Sequence, residues 1–197
     1  MKNIIIIGAP GSGKGTYSAE IAQRYNMSHI STGDVLRAEI KKGTELGKSI
    51  QAIIEKGNLI PDETMVEILA KVYDEQPSGQ GVIFDGFPRT VHQAEVLKEM
   101  FASRKQDMGI VVELSVDEQT LMERLLGRAI KEGRTDDNEE TIKARFNVFY
   151  QQTRPVIEWF EKEGMRNTFT WKGSKDLMLS EIFDFLDKST FPYKMKF

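Results

Sequence analysis

Near the start of the chain stands Ile4-Ile5-Ile6-Ile7, followed at once by Gly8-Ala9-Pro10-Gly11-Ser12-Gly13-Lys14-Gly15-Thr16. Four β-branched residues in a row indicate a strand buried on both faces, as in a parallel sheet. The glycines and Lys14 match the G-x-x-x-x-G-K pattern, in which backbone N–H groups and the lysine surround phosphate oxygens. A helix that begins near Gly13 would direct its positive end at the same anion. The stretch therefore predicts a strand, a phosphate-binding loop and a helix, in that order.

One position departs from the usual form of this loop. Gly15 follows Lys14, and the hydroxyl expected there comes one residue later, at Thr16. A glycine-rich turn that binds nothing is the alternative interpretation. Phosphate binding is favoured because a strand precedes the loop and a helix, 17–25, is expected behind it.

Composition narrows the class of protein. The 197 residues are enough for one domain with small inserted lobes and a substantial core. A net charge of -3 argues against nucleic acid or an anionic membrane as the main partner. The absence of cysteine excludes a disulfide scaffold. With no apolar run near the roughly eighteen residues of a membrane span and no leader, we expect a cytoplasmic protein.

Strands alternate with helices along the rest of the chain. This alternation predicts an α/β fold with right-handed crossovers and a parallel sheet covered by helices on both faces. Pro155 should bend or restart a long helix, and the spacing of apolar residues turns Leu46 and Leu177 inward. Five strands are expected: 4–7, 28–30, 82–85, 109–114 and 167–171.

Arginines are the second informative feature of a chain with a net negative charge. Planar guanidinium groups match phosphate oxygens in pairs, so several of them on the ligand side would bind several phosphates. Ordinary surface ion pairs are the alternative for any one of them. The candidates are Arg37, Arg89, Arg128, Arg134 and Arg145.

Four motifs at consistent spacing resemble those of nucleoside monophosphate kinases, and most of all the adenylate kinase family with a short lid. The motifs are residues 8–16, Ser31-Thr32-Gly33-Asp34-Val35-Leu36-Arg37, Asp85-Gly86-Phe87-Pro88-Arg89-Thr90 with Gln93, and Gly133-Arg134-Thr135-Asp136-Asp137-Asn138-Glu139-Glu140-Thr141. The pair Gly15-Thr16 is also usual in this family. The resemblance covers all but the tail, and no role is implied for 189–197.

The resemblance implies a P-loop NTPase fold with a five-stranded parallel sheet flanked by helices. Its core would comprise 1–30, 61–126 and 139–197, with an AMP-binding helical lobe at 31–60 and a short lid at 127–138. The implied reaction is reversible transfer of the γ-phosphoryl group of ATP to AMP, which gives two ADP. We expect a monomer.

The resemblance also assigns site residues. The ATP site would contain Gly11, Ser12, Gly13, Lys14, Gly15, Thr16, Arg124, Arg128 and Gly173. The AMP site would contain Thr32, Arg37, Asn58, Leu59, Ile60, Gly86, Phe87, Pro88, Arg89, Gln93, Arg134 and Arg145. The catalytic charges would come from Lys14, Arg89, Arg128, Arg134 and Arg145.

The expected chemistry needs no general base, because the acceptor is already an anionic phosphate oxygen. It needs two substrates held in line and positive charge around the transferring group. Mg²⁺ prefers oxygen ligands and keeps most of its waters, so Thr16 is expected to hold it directly and Asp85 through water. A turn-forming acid is the alternative for Asp85. The short lid has no cysteine, so no structural zinc is expected.

Several polar residues allow two interpretations. Thr90-Val91-His92-Gln93 is a capping box, but adenine recognition is favoured for Gln93, on the view that one amide does not serve both roles. Asp136 and Asp137 would pair with lid arginines or simply cap the next helix. Both histidines, His29 and His92, are expected to be structural.

Two rival functions remain open. A UMP/CMP kinase shares the loop and lid motifs, but it tends to have alanine in place of Thr32 and asparagine in place of Thr90. A non-catalytic nucleotide-binding adaptor is the rival from another class, although the expected phosphate-binding charges are all present. A GTPase switch is disfavoured because no asparagine is followed by lysine, as its guanine-reading motif requires.

Overall fold

The computed structural model describes residues 3–77, 79–132 and 138–189. Their five strands form one parallel sheet in the order β2-β3-β1-β4-β5, which confirms the predicted fold class. The central strand β1 is the isoleucine run, because only a strand with neighbours on both sides and helices on both faces hides four such residues. The strands are β1 Ile4–Gly8, β2 Ser28–Ser31, β3 Val82–Asp85, β4 Ile110–Ser115 and β5 Arg166–Thr170.

Helices cover both faces of the sheet. Thr44, Thr90 and Ser174 cap helices through their side chains, as their positions before apolar runs indicate. Pro155 lies in the first turn of a new helix after a π-helical turn, Phe149–Thr153, as expected of a restart. The helices are α1 Lys14–Tyr25, α2 Thr32–Lys41, α3 Glu45–Ile54, α4 Asp62–Asp74, α5 Val91–Ser103, α6 Glu118–Glu132, α7 Glu139–Val148, α8 Arg154–Lys162 and α9 Lys175–Lys188.

Alternate residues of β1 face two separate cores. Ile5 and Ile7 pack with residues of α4, α5 and α8, whereas Ile4 and Ile6 pack with residues of α1 and α9. The inward placement of Leu46 and Leu177 is wrong, since these side chains are 45% and 46% exposed. In α9 the next residue, Met178, takes the buried position, because the buried face of this helix runs through Met178, Ile182 and Leu186 at helical spacing.

The pairing of residues between neighbouring strands determines where the candidate site lies. Ile6 of β1 is paired with Asp85 at the end of β3, and Asp85 is paired on its other side with Ser31. The phosphate-binding loop, the acid and the start of α2 therefore meet at the carboxyl edge of the sheet, where ligands bind in such folds. Within the described ranges, no helix is long and apolar enough to cross a membrane.

Candidate active site

The loop between β1 and α1 has the close backbone approach that its glycines predict. Gly11 and Gly13 have φ angles of 82° and 94°, a region that favours glycine. A Cβ atom on Gly11 would lie 2.8 Å from the carbonyl oxygen of Leu121. Gly13 is the N-cap of α1, so the first N–H groups of this helix lack intrahelical acceptors and are available to an anion.

Lys14 folds back over its own loop. Its Nζ atom donates to the carbonyl oxygens of Gly8 and Ala9, at 2.9 and 3.0 Å. Burial lowers the pKa of Lys14 from its ordinary value to about 8, and the carboxylate of Asp85 opposes this shift. A poorly solvated ammonium group of this kind gains from an incoming phosphate anion. Three guanidinium groups also lower this pKa: Arg89, Arg145 and Arg128.

A cavity of about 430 Å³ lies beside the loop and is lined in part by residues from the segment 32–60. Most residues assigned to the AMP site line this cavity: Thr32, Arg37, Asn58, Leu59, Ile60, Gly86, Pro88, Arg89, Gln93 and Arg145. Lys14 lines it as well. Phe87 does not line it, because its ring is buried in the core, 6.4 Å from the ring of Phe84 between centroids. Arg134, Asp136 and Asp137 lie outside the described residues.

Arg89 is held rigidly at the cavity wall. Its Nε atom donates to the carbonyl oxygen of Gly86 at 2.6 Å, and Nη2 donates to the hydroxyl of Thr32 at 3.3 Å. Burial lowers the pKa of Arg89 to about 10, and the charge of Arg145 adds to this effect. The guanidinium group stays protonated at neutral pH, so its buried positive charge favours an anion in the cavity.

Thr153 supports Arg89 from behind. Its hydroxyl donates to the carbonyl oxygen of Arg89 at 3.0 Å, from the last residue of the π-helical turn. Phe149, the first residue of that turn, lines the cavity. Sequence reasoning missed both residues, since apart from Pro155 nothing in the local pattern indicates a π-helical turn.

Gln93 makes a hydrogen bond close to that of a capping box, but to the residue before the N-cap Thr90. Its Oε1 atom accepts the backbone N–H of Arg89 at 2.7 Å, and the hydroxyl of Thr90 accepts the N–H of Gln93 at 3.1 Å. Gln93 also lines the cavity, so the two roles do not exclude each other. An amide has two donor hydrogens and two acceptor lone pairs, and adenine recognition stays a prediction.

Asp85 has the position expected of an acid near bound phosphates and a cation. Its carboxylate is nearly buried, and a Cβ atom on Gly15 would lie 3.5 Å from Oδ2. The exposed Thr16 follows in the same turn of α1. Hydroxyl and carboxylate oxygens are ligands that suit Mg²⁺, so these two residues fit the predicted metal role. His29 Nε2 lies 3.3 Å from Asp85 Oδ2, in keeping with a supporting role for the imidazole.

Arg124 lies on the other side of the loop. Its guanidinium carbon is 4.0 Å from the centroid of the Trp171 ring, and Nη1 donates to the carbonyl oxygen of Ser12 at 3.5 Å. Gly173 follows two residues after Trp171, with a φ of 83°. The sequence analysis assigned Arg124 and Gly173 to the ATP site but missed Trp171. The contact between Arg124 and Trp171 joins α6 to the end of β5, two segments that are far apart in sequence.

These features define the class of protein to which the chain belongs. A glycine-rich loop and lysine at the end of a central parallel strand, beside an arginine-lined cavity, are those of a P-loop phosphotransferase that acts on nucleotides. The family model for adenylate kinase matches residues 6–165. The chain therefore belongs to the adenylate kinase family, whose members are enzymes that bind adenine nucleotides.

Curated relatives agree over nearly the whole chain. An adenylate kinase of Bacteroides thetaiotaomicron is 53% identical over 188 residues, which cover 95% of this chain and 100% of the relative. An adenylate kinase of Porphyromonas gingivalis is 43% identical over 95% of this chain and 97% of the relative. One from Leptospira biflexa is 42% identical over 92% and 98%, respectively.

Proposed function

We propose that this enzyme transfers the γ-phosphoryl group of ATP reversibly to AMP, with two ADP as products. One observation carries the proposal. Lys14 belongs to the phosphate-binding loop and also lines the cavity that contains Arg89 and Arg145. One positive group thus stands between a site for a nucleoside triphosphate and a second anion site, which is what direct transfer between two nucleotides requires.

The acceptor half of the site is the cavity. Arg37, Arg89 and Arg145 are suited to the phosphate of AMP because their guanidinium groups bind phosphate oxygens in pairs. Leu59 and Ile60 supply an apolar wall for the base. Asn58, Gly86, Pro88 and Gln93 complete the set, with Thr32 holding Arg89 in place.

The donor half is the loop. The backbone of 11–16 would surround the phosphates of ATP, Arg124 would bind ATP from the base of the lid, and the backbone near Gly173 would contact its adenine. Arg128 and Arg134 would add positive charge from the lid.

The chain's own residues act by position and charge. The attacking oxygen of AMP is already anionic, so no side chain has to remove a proton. Lys14 and the arginines offset negative charge on the transferring group in an in-line displacement, and a single arginine can contribute about 10³ to 10⁵ in rate. When bound, Mg²⁺ neutralises charge between the phosphates of the donor; Thr16 would hold it directly and Asp85 through water.

We also propose that the chain is divided into an AMP-binding lobe at 31–60, a lid at 127–138 and a core formed by the remaining residues. Closure of the lobe and lid would exclude water, which competes with AMP as acceptor. A contact already joins the lobe to α7, since the hydroxyl of Thr141 donates to the carbonyl oxygen of Glu55 at 3.3 Å. We expect a monomer that works in the cytoplasm.

A direct assay tests the proposal. The purified chain is given Mg-ATP with AMP, CMP or UMP, and product nucleotides are separated and quantified. We expect ADP from AMP at a rate well above that of CMP or UMP. Faster transfer to CMP or UMP would identify a pyrimidine nucleotide kinase, and nucleotide binding without any transfer would identify an adaptor.

A further inference from the structure

Asp62 holds the side chain of Gln93, a residue that lines the cavity. Gln93 Nε2 donates to Asp62 Oδ1 at 2.7 Å, while Gln93 Oε1 accepts the backbone N–H of Arg89 at the same distance. The side chain of Gln93 is 2% exposed. Its amide is therefore held at both ends by partners from different segments, α4 on one side and the loop before α5 on the other.

The two partners permit only one orientation of this amide. A carboxylate can only accept hydrogen bonds, and a backbone N–H can only donate one. Turned over, the amide would place its oxygen against Asp62 and its nitrogen against the N–H of Arg89, and both hydrogen bonds would be lost. The hydroxyl of Thr90 donates to Asp62 Oδ2 at 2.7 Å and so fixes the carboxylate as well.

The fixed amide has a defined set of hydrogen-bonding groups left for the base of a nucleotide. Gln93 keeps one N–H hydrogen and one lone pair on Oε1. Adenine is the complement of this pair, since its N1 atom accepts and its 6-amino group donates. Hypoxanthine has the same outline but the reverse pattern, because its O6 accepts and its N1 carries a hydrogen.

We propose that Asp62 is a positioning residue that sets the base specificity of the acceptor site. By holding the amide of Gln93 in one orientation, it makes the site select a 6-aminopurine over a 6-oxopurine. This inference rests on the proposed function, because it places the acceptor base in the cavity that Gln93 lines.

Asp62→Asn tests the inference with little change of shape. The new amide can donate as well as accept, so only the backbone N–H of Arg89 still selects the orientation of Gln93. The measured quantity is the ratio of kcat/KM for AMP to kcat/KM for IMP, with Mg-ATP as donor. We expect this ratio to fall by about tenfold, the effect of one misdirected hydrogen bond in a site built for it.

Glu63→Gln is the matched control. It removes the same charge from the same first turn of α4, but Glu63 is exposed. We expect the ratio to stay within about twofold of that of the unchanged enzyme, a range set by the small effect of surface substitutions. A similar fall in both variants would assign the effect to charge at the helix start and overturn the proposal.

Other outcomes separate the possibilities. If kcat/KM fell by the same factor for AMP and IMP in Asp62→Asn, the role of Asp62 would be purely structural and the inference would be overturned. If the unchanged enzyme did not phosphorylate AMP at all, the proposed function itself would fail. Should Asp62→Asn not fold, NMR of the unchanged protein decides: the side-chain amide of Gln93 is expected to show a proton protected from exchange, and a freely exchanging amide contradicts the proposal.

Discussion

The guanidinium carbon of Arg124 lies 4.0 Å from the centroid of the Trp171 ring. Such stacking contributes about 0.5 to 1 kcal/mol at exposed sites. It also holds Arg124 where Nη1 reaches the carbonyl oxygen of Ser12 in the phosphate-binding loop. The two residues link the end of β5 to the proposed site of the donor nucleotide.

Trp171→Leu is therefore expected to raise the KM for ATP by about threefold, the factor that corresponds to such a stacking energy, and to leave the KM for AMP unchanged. Steady-state kinetics with each substrate varied in turn measures both constants. Trp171→Phe retains an aromatic face and should restore most of the affinity. Equal changes in both KM values would contradict a role limited to the donor.

Lys14→Met is expected to lower kcat by at least about a hundredfold with the fold intact, because it removes a preorganised charge from the transition state. Phosphotransfer assays and circular dichroism measure the two effects. The control is Lys71→Met, since Lys71 is an exposed residue of α4 whose ammonium group pairs with Glu67, one turn away on the same helix. A rate near that of the unchanged enzyme would remove Lys14 from the mechanism.

The lowered pKa of Lys14 predicts a pH dependence. The free enzyme loses the proton of this group as the pH rises through about 8, so kcat/KM for ATP should fall above that pH. Bound phosphates favour the charged form, and kcat should therefore stay constant to a higher pH. A kcat/KM that is flat up to pH 10 would contradict this assignment.

The same shift has a consequence for stability. Between about pH 8 and the ordinary lysine value of 10.5, the unfolded chain binds a proton at Lys14 that the folded chain has lost. This group alone therefore makes the fold more stable as the pH rises through that window. Denaturant unfolding at several pH values, compared with Lys14→Met, isolates the contribution; a difference that does not change with pH would contradict it.

Gly86→Ala is expected to damage both fold and site. Gly86 has a φ of 79°, and a Cβ atom there would lie 2.6 Å from the hydroxyl of Thr32, which also contacts Arg89. We expect a loss of about 2 to 4 kcal/mol in the free energy of unfolding, from backbone strain and the clash together, and a higher KM for AMP.

Gly164→Ala is the matched control for this change. Gly164 has a φ of 69°, but no atom of the described residues lies within 4 Å of a Cβ placed there. It should cost only the backbone strain, about 1 kcal/mol, and leave the KM for AMP unchanged. Equal effects of both substitutions would mean that the clash with Thr32 is unimportant.

The sequence by itself determined the local elements and their order. The isoleucine run, the glycine spacing around Lys14 and the capping box that begins at Thr90 act through neighbours in the chain. They were therefore sufficient to predict the parallel sheet and the phosphate-binding loop, whereas the residues of the AMP site were assigned through the resemblance to a family, and most of these line the cavity.

Only the tertiary structure decided which side chains from distant segments meet. Three contacts join residues of separate helices, strands and loops: Asp62 with Gln93, Trp171 with Arg124, and Thr153 with the carbonyl oxygen of Arg89. Each contact depends on how the elements cross and how far each helix is rotated about its axis. Spacing along a single chain does not contain that information, because it records neighbours in sequence and not the packing that brings remote residues within hydrogen-bond distance.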